Sequence, residues 1–441
     1  MFDDRPADPP TPAHGLAQDC LKAGIRAADP ARAIDRHCTV EDGRLRVRDK
    51  RYDLSAADEV LIVGGGKGAD DLAAALVDLL DGHPTGGVVV TDAPTADPGG
   101  VTVRLGEHPT PGAGSVAGAE AVLERARAAD ETALVLAPIT GGGSALLCAP
   151  AGDLAAADLA RVTDRLLAAG APVDAVNVVR RACSEIKGGG LAAAAAPAPV
   201  VGLVVSDVVG DDPGVVASGP TVPRPVEPDA AVAVLERYGV TDPAVGSWLE
   251  TAEPGPPPDA TADTHVIASA ADAVDAAGEV AADRGYEPCV LSTRLEGEAG
   301  EVGRVHAGIA REVAADGRPV EPPAVLLSGG ETTVTVRGDG EGGPNLEFVV
   351  ACGVDLPGSA VVAAVDTDGR DGSTDAAGGI TGRIDDPAAA RRALTDDDTL
   401  PFLAARDGLL ETGSTGTNVN DLRMVVVGPN GFAPSSSLDE P

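Results

Sequence analysis

EVLIVGGGKGADDLAAALVDLL, residues 59–80, decides the fold. It reads as a buried strand over 60–63, a glycine turn over 64–66 followed by Lys67, and a helix from about Gly68. Glycines let a backbone approach an anion closely, and a helix start presents unpaired N–H groups to it. The chain has four lysines, Lys22, Lys50, Lys67 and Lys187, and two of them sit in glycine-rich turns, over 64–68 and 187–190. A sequence that uses arginine for nearly every other positive charge has kept ammonium groups where phosphate could bind. The plainer reading is a solvated loop lysine. Gly65 and Gly66 are the backbone contacts expected beside Lys67.

Outward from this stretch, strands are expected over 86–92, 101–107, 132–138 and 200–208, with helices over 115–129, 154–169 and 229–238. The strand at 132–138 runs straight into ITGGGSALL, a second strand–glycine–helix unit. Continuous apolar strands alternating with helices mark a doubly wound parallel sheet. Upstream, residues 1–12 read as frayed, 15–36 as one helix, and 41–53 as a short Arg/Asp-rich lead-in. A proline-rich composition break places a first domain at 1–240, a linker at 241–264 and a second domain at 265–441. The second half is expected to open with a strand at 265–269 and to continue with strands at 289–292, 324–330, 332–338, 360–369 and 423–427. That makes a second α/β domain with a mixed sheet.

At 441 residues, two or three domains are the natural expectation. Hydrophobic residues at 44% with aromatics at only 2% call for aliphatic cores. A net charge of −36 argues against nucleic acid or an anionic membrane as partner, since both are polyanions. A diffuse acidic excess with few lysines is the usual look of a protein working in concentrated salt. Six scattered cysteines form no C-x-x-C pair, and the acidic, proline-rich N-terminus has no basic-then-apolar signal. No apolar run reaches the length of a membrane span. The expected setting is cytoplasmic. The histidines show no H-E-x-x-H or paired spacing, so zinc is not expected, and only His108 lies in a motif-like loop.

Gly64, Gly66 and Ala69 fit G-x-G-x-x-A after a strand, and Asp92 ends the next strand, so a nucleotide-dependent dehydrogenase is a fair rival. A lysine inside the turn suits terminal phosphates better. A P-loop is excluded, because Leu61 stands where its first glycine belongs. GGGSALL (141–147) fails as a nucleophile elbow at Leu146, leaving Ser144 as a helix cap or a ligand contact. SDVVGDD (206–212) puts Asp207 at the carboxyl end of a strand, with Asp211 and Asp212 in the loop. Magnesium is usually held by one or two such carboxylates plus substrate phosphates. DTDGRDGSTDAAG (366–378) is not an EF-hand, and Asp368 or Asp371 reads either as metal ligand or base, or as part of a solvated acidic loop. LSGGETTV (327–334) offers Glu331, and GSTGTNVNDL (413–422) offers Thr417 and Asn418 for amide and hydroxyl recognition.

Together these segments resemble the class II glycerate kinases, whose second half is the MOFRL domain. The matching stretches are VGGGKGA, GEHPTPG, GGGSALL, NVVRRACSEIKGGGLA, SDVVGDDPGVVASGPTV, SGGETTVTVRGDGEGGPN, DTDGRDGSTDAAGG and STGTNVNDL, in the family's order over about 60–425. The resemblance implies a Rossmann-like first domain, an active site in a cleft between two domains, and phosphorylation of D-glycerate by ATP with Mg²⁺. The 2-hydroxyl is the expected acceptor. Lys67 would stabilise the transferring phosphoryl group, and Lys187 with Arg180 would hold the glycerate carboxylate or a phosphate. Asp207 would bind Mg²⁺ with Asp211 or accept the hydroxyl proton, and Asp368 is a further catalytic candidate. Ser144, Glu331, Asn345, Thr417 and Asn418 are the remaining substrate or phosphate contacts. A homodimer is a candidate assembly. The sequence departs from the family where Arg-Asn-Gln-Glu becomes Pro344-Asn345-Leu346-Glu347, where an Asp becomes Arg224, and where a basic residue becomes Gly190. Two other readings stand beside the kinase: an NAD(P)-dependent hydroxyacid or hydroxypyruvate oxidoreductase, and a non-catalytic metabolite-binding protein.

Overall fold

The strand Glu59–Gly65 is the third in a six-stranded sheet, and every one of its residues after Glu59 is buried. The computed structural model describes residues 10–83, 85–252 and 262–429, so the part of the expected linker over 253–261 lies outside the described residues. Across the sheet the strands run Val101–Leu105, Thr85–Thr91, Glu59–Gly65, Ala133–Ile139, Val200–Val205 and Ala262–Ala268. All five pairings are parallel. In chain order this is 3-2-1-4-5-6, the doubly wound arrangement, whose direction of winding reverses between Glu59–Gly65 and Ala133–Ile139. Continuous runs such as VLIV and ALVLA form strands here because both faces of the sheet are covered. Leu61, Val63, Val135, Ala137 and Val204 pack against Val122, Leu123 and Leu191 to make an aliphatic core.

This sheet belongs to the unit Pro30–Ser269, and the other unit comprises Met1–Asp29 with Ala270–Pro441. The division differs from the expected 1–240 and 265–441 in three places. The strand expected to open the second half pairs in parallel with Val200–Val205 and is the sixth strand of the first sheet. Residues 243–251 are a helix, not linker, with Asp242 capping Ala244 and Val245 and with Trp248 Nε1 donating to Ala182 O at 2.9 Å. The single helix expected over 15–36 is two, Pro12–Ala27 and Pro30–His37, because Pro30 has no N–H to continue the first and is suited to begin the second. Thr11 caps the first of these, so residues 10–12 are structured. That helix packs with Ala270–Asp283, where Gly24 lets the backbones approach and Arg284 pairs with Asp19 at 2.7 Å. The lead-in over 41–53 is part of a three-stranded antiparallel meander, Cys38–Glu41, Arg44–Val47 and Lys50–Asp53.

The second unit has a mixed sheet in the order Glu287–Leu295, Ala324–Gly330, Asp421–Val427, Ala360–Asp366, Gly378–Thr381 and Leu409–Leu410. Its first pairing is parallel and the other four are antiparallel. The strand expected at 332–338 is absent apart from one bridge between Thr333 and Glu298. Carboxylates replace the ladder there: Glu298 accepts from Thr335, and Asp397 Oδ2 accepts from Arg337 N and Gly338 N at 2.6 and 2.5 Å. The segment 347–351 lies in the helix Pro344–Val354, where Pro344 at the first position starts the helix at no hydrogen-bond cost. All six cysteines are free thiols, and among the described residues no helix is long and apolar enough to cross a membrane.

Candidate functional site

Two glycine turns leave the carboxyl ends of the strands that flank the winding reversal, where ligands of doubly wound proteins bind. Gly66 (φ 141°) passes so close to Thr140 that a Cβ would strike its hydroxyl and carbonyl. Thr140 Oγ1 donates to Lys67 O at 2.8 Å, and Lys67 N donates to Gly141 O at 2.8 Å, so each turn holds the other. Gly66 N is likewise committed, to Val90 O at 3.0 Å. The amides of Gly66 and Lys67 therefore serve the fold, and Gly65 lies within the strand. What this turn offers a ligand is the Lys67 side chain.

The second turn gathers the rest. A Cβ on Gly142 (φ 75°) would stand 3.3 Å from Lys67 Cγ and 3.2 Å from His108 Nε2, and one on Gly141 would meet the Asp207 carboxylate. Asp207 thus sits beside both turns, accepts from Gly142 N–H and feels the Lys67 charge. Burial raises its carboxyl above the ordinary carboxylate range, against the lowering effects of its own amide, Lys67 and Gly142. Its loop neighbour Asp211 occupies a left-handed turn (φ 59°) with its N–H on Val208 O. Asp212 caps Gly214 and pairs with Arg224, so the departure at Arg224 is answered locally.

Ser144 lies in the short helix Gly143–Leu146 that follows the second turn. Its hydroxyl receives Arg180 Nη1 at 3.2 Å and lies 3.0 Å from Ser218 Oγ. Arg180 is largely enclosed, and burial lowers its pKa; no described carboxylate pairs with it. Lys187, only 7% exposed, is placed differently from the expectation of an anion contact. Its Nζ donates to Ser144 O and Leu147 O at 2.8 and 2.9 Å, closing the end of the short helix. Burial brings its pKa down to about 7.

The candidates in the second unit are occupied with one another. Asp371 accepts from the N–H groups of Asn345 and Leu346 at 2.9 and 2.8 Å, capping the helix Pro344–Val354. Asn345 Nδ2 also donates to Asp421 Oδ1 at 2.6 Å. The fully buried Arg423 donates to Asp421 Oδ2 and, at 2.9 Å, to Thr332 Oγ1. Burial pushes Asp371 up to about 7 and raises Asp366 well above its ordinary value, with Asp368 and Asp421 adding to the latter. Asp368 accepts from Arg370 N, and Arg370 pairs with Asp375. Thr417 Oγ1 donates to Ala28 O, Asn418 Oδ1 accepts from Asn420 N, and Glu331 is exposed. Among the described residues no group of three His, Cys, Asp or Glu side chains is arranged to hold a metal ion.

A lysine and a carboxylate gathered by two glycine turns at the reversal of a 3-2-1-4-5-6 sheet mark a ligand-binding doubly wound α/β protein. Comparison with known proteins sets it in a family. Residues 16–250 match the domain of unknown function DUF4147, and residues 324–421 match the MOFRL family. The chain is 35% identical to a glycerate 2-kinase of Pyrococcus horikoshii, covering 93% of this chain and 98% of that protein. It is 41% identical to a putative hydroxypyruvate reductase of Agrobacterium vitis over 83% of this chain and 99% of that protein. It superposes on the crystal structure of glycerate kinase from Thermotoga maritima with a TM-score of 0.81 at 32% identity, covering 94% of this chain and 99% of that one. The chain belongs to the glycerate kinase family of the MOFRL type.

Asn177 and Ser218 are not among the expected site residues, while His108, expected in a motif-like loop, lies against Gly142. For Asn177 a signal existed: it lies three positions before Arg180 on one helix, hence on the same face. Ser218 gave no such signal, since it meets Ser144 from 74 positions away.

Proposed function

We propose that this protein transfers the γ-phosphoryl group of ATP to D-glycerate, at the 2-hydroxyl, giving 2-phosphoglycerate and ADP. One observation carries the reading: Lys67, an uncommon ammonium in this chain, stands with Asp207 where two glycine turns meet. Phosphoryl transfer needs positioning and charge neutralisation more than covalent chemistry. Lys67 stabilises the charge on the transferring group as the glycerate oxygen forms a bond to phosphorus and the bond to ADP breaks. The hydroxyl proton leaves at the same time. Asp207 suits its removal, because a carboxylate whose pKa is raised by burial is a stronger base. Arg180, positioned by Ser144, serves the substrate anion.

Magnesium belongs to the same proposal. One carboxylate plus phosphate oxygens is a donor set that this ion uses, and Asp211, in the loop after Asp207, supplies such a carboxylate. When bound, the ion would neutralise phosphate charge. The cytoplasm is the proposed setting, supported by six free thiols.

Release of ADP, followed with D-glycerate, glycerol and hydroxypyruvate, tests the proposal, with NMR of the product locating the phosphate. Both low and molar KCl belong in the assay, because a chain of net charge −36 repels itself when salt is dilute. Release dependent on D-glycerate is the expected result. A second reading, hydroxypyruvate reduction, draws on the name of the Agrobacterium relatives and on the dinucleotide-type strand order. NADH oxidation by hydroxypyruvate with no ADP release would establish it instead.

A further inference from the structure

Arg180 Nη1 donates into Ser144 Oγ, which commits the Ser144 proton to point onward. Two acceptors are near it, Ser218 Oγ at 3.0 Å and Asn177 Oδ1 at 3.4 Å. Ser218 Oγ in turn lies 3.3 Å from Asn177 Oδ1. Two hydroxyl protons can fill two of these three contacts. The arrangement that supplies every oxygen runs one way, from Arg180 through Ser144 and Ser218 to the amide carbonyl of Asn177. In this arrangement the carbonyl of Asn177 faces the serines and its NH₂ faces away. Asn177 is 5% exposed, and among the described residues nothing accepts from its Nδ2 or from Arg180 Nη2.

The backbone beneath Ser218 is held at some cost. Ala217 and Ser218 are both buried and both left-handed, with φ 50° and 64°. A non-glycine residue is sterically disfavoured there, and such strain is retained where surrounding structure enforces it. The turn is clamped from outside, by Gly188 N on Ser218 O at 3.0 Å and Gly189 N on Gly219 O at 2.8 Å. Its result is to bring the Ser218 hydroxyl between Ser144 and Asn177.

We propose that Asn177 Nδ2 and Arg180 form a paired-donor subsite for the carboxylate of a small hydroxy acid, with Ser144 and Ser218 as positioning residues. The proposal rests on the glycerate kinase reading and names the part of glycerate that this corner holds. One charged and one neutral donor, three residues apart on a helix, match two oxygens of a planar monoanion. A phosphate of ATP is the other oxyanion available, and the kinetics separate the two.

Asn177→Asp keeps the size and the acceptor facing the serines but turns the free donor into a second acceptor. It should raise KM for D-glycerate about 50-fold, since it brings like charges together. KM for ATP should stay within about threefold, because only one substrate loses binding. Ser218→Gly deletes the hydroxyl at a position where glycine is conformationally at ease, so it should not lower Tm. It should raise KM for D-glycerate about fivefold, the worth of one hydrogen bond. A glycerate KM unchanged in both variants, or a rise confined to the ATP KM, would overturn the subsite.

A thermal shift of the wild type with millimolar D-glycerate, glycolate and glycerol distinguishes this failure from that of the kinase reading. If the two acids raise Tm, glycerol does not, and no ADP is released, the kinase reading falls and the subsite stands. If neither acid raises Tm, the subsite falls.

Discussion

Two polar clusters of this molecule look alike in sequence, each a run of glycine, hydroxyl and acidic residues at the end of a buried strand. In the unit Pro30–Ser269 the cluster leaves donors over: Arg180 has no carboxylate partner among the described residues, and Asn177 Nδ2 has no acceptor. In the other unit the carboxylates are consumed. Asp371 caps a helix, Asp421 takes Asn345 and Arg423, and Arg370 is spent on Asp375. Polar residues beside glycines are thus ambiguous until their partners are counted. A group that already holds its complement stabilises the fold, and one that does not is available to a ligand.

The comparison breaks if the polar groups of the unit Pro30–Ser269 prove dispensable. Asp207→Asn should lower kcat on D-glycerate about 10³-fold, since it removes both a base and a charge from the reacting centre. Rapid-quench or steady-state ADP release would measure it. Arg180→Ala should raise KM for D-glycerate about 100-fold with a smaller change in kcat, as expected for the loss of a charged binding contact.

Effects on stability should come from the groups that are already paired. Asp371, raised to about 7 from an ordinary 3.8, gives its unit stability that is full below pH 3.8 and is lost as pH rises through 7. His306, buried with its ring nitrogens on Val302 O and Ser328 Oγ, is brought down to about 4 by that burial and works oppositely: its stability is full above 6.5 and is lost as pH falls through 4. The difference between wild type and Asp371→Asn isolates the first effect. Urea midpoints should move in the variant's favour by about 2 kcal/mol as pH rises across that window. Lys187→Met strands two carbonyls but removes a buried charge, so a net loss of about 1 kcal/mol is expected, with kcat little changed. A large fall in kcat for that variant would return Lys187 to the substrate site.

The doubly wound sheet was legible because strands buried on both faces must be continuously apolar, and the chain writes 60–63, 133–137 and 200–205 that way. The boundary was not legible. Proline density suggested a break near 241–264, yet the sixth strand, Ala262–Ala268, follows it, and the first helix packs with elements from the far half of the chain. Neither pairing leaves a local trace. In the candidate site, the placement of Lys67, Asp207 and Ser144 beside glycine turns was legible, because turns after strands fix where such side chains go. Lys187 looked the same and is instead a tie between carbonyls, a distinction that depends on Ser144 and Leu147 some forty positions earlier. Asn345, Thr417 and Asn418 read as recognition groups because capping and ligand binding draw on the same residue types.

The most direct test is the turnover of Lys67→Ala with saturating ATP and D-glycerate, beside the wild type and with circular dichroism to confirm folding. The account predicts an unchanged spectrum and a kcat lower by about 10³-fold, the scale of a lost transition-state charge contact. A folded variant that phosphorylates D-glycerate at the wild-type rate would contradict it.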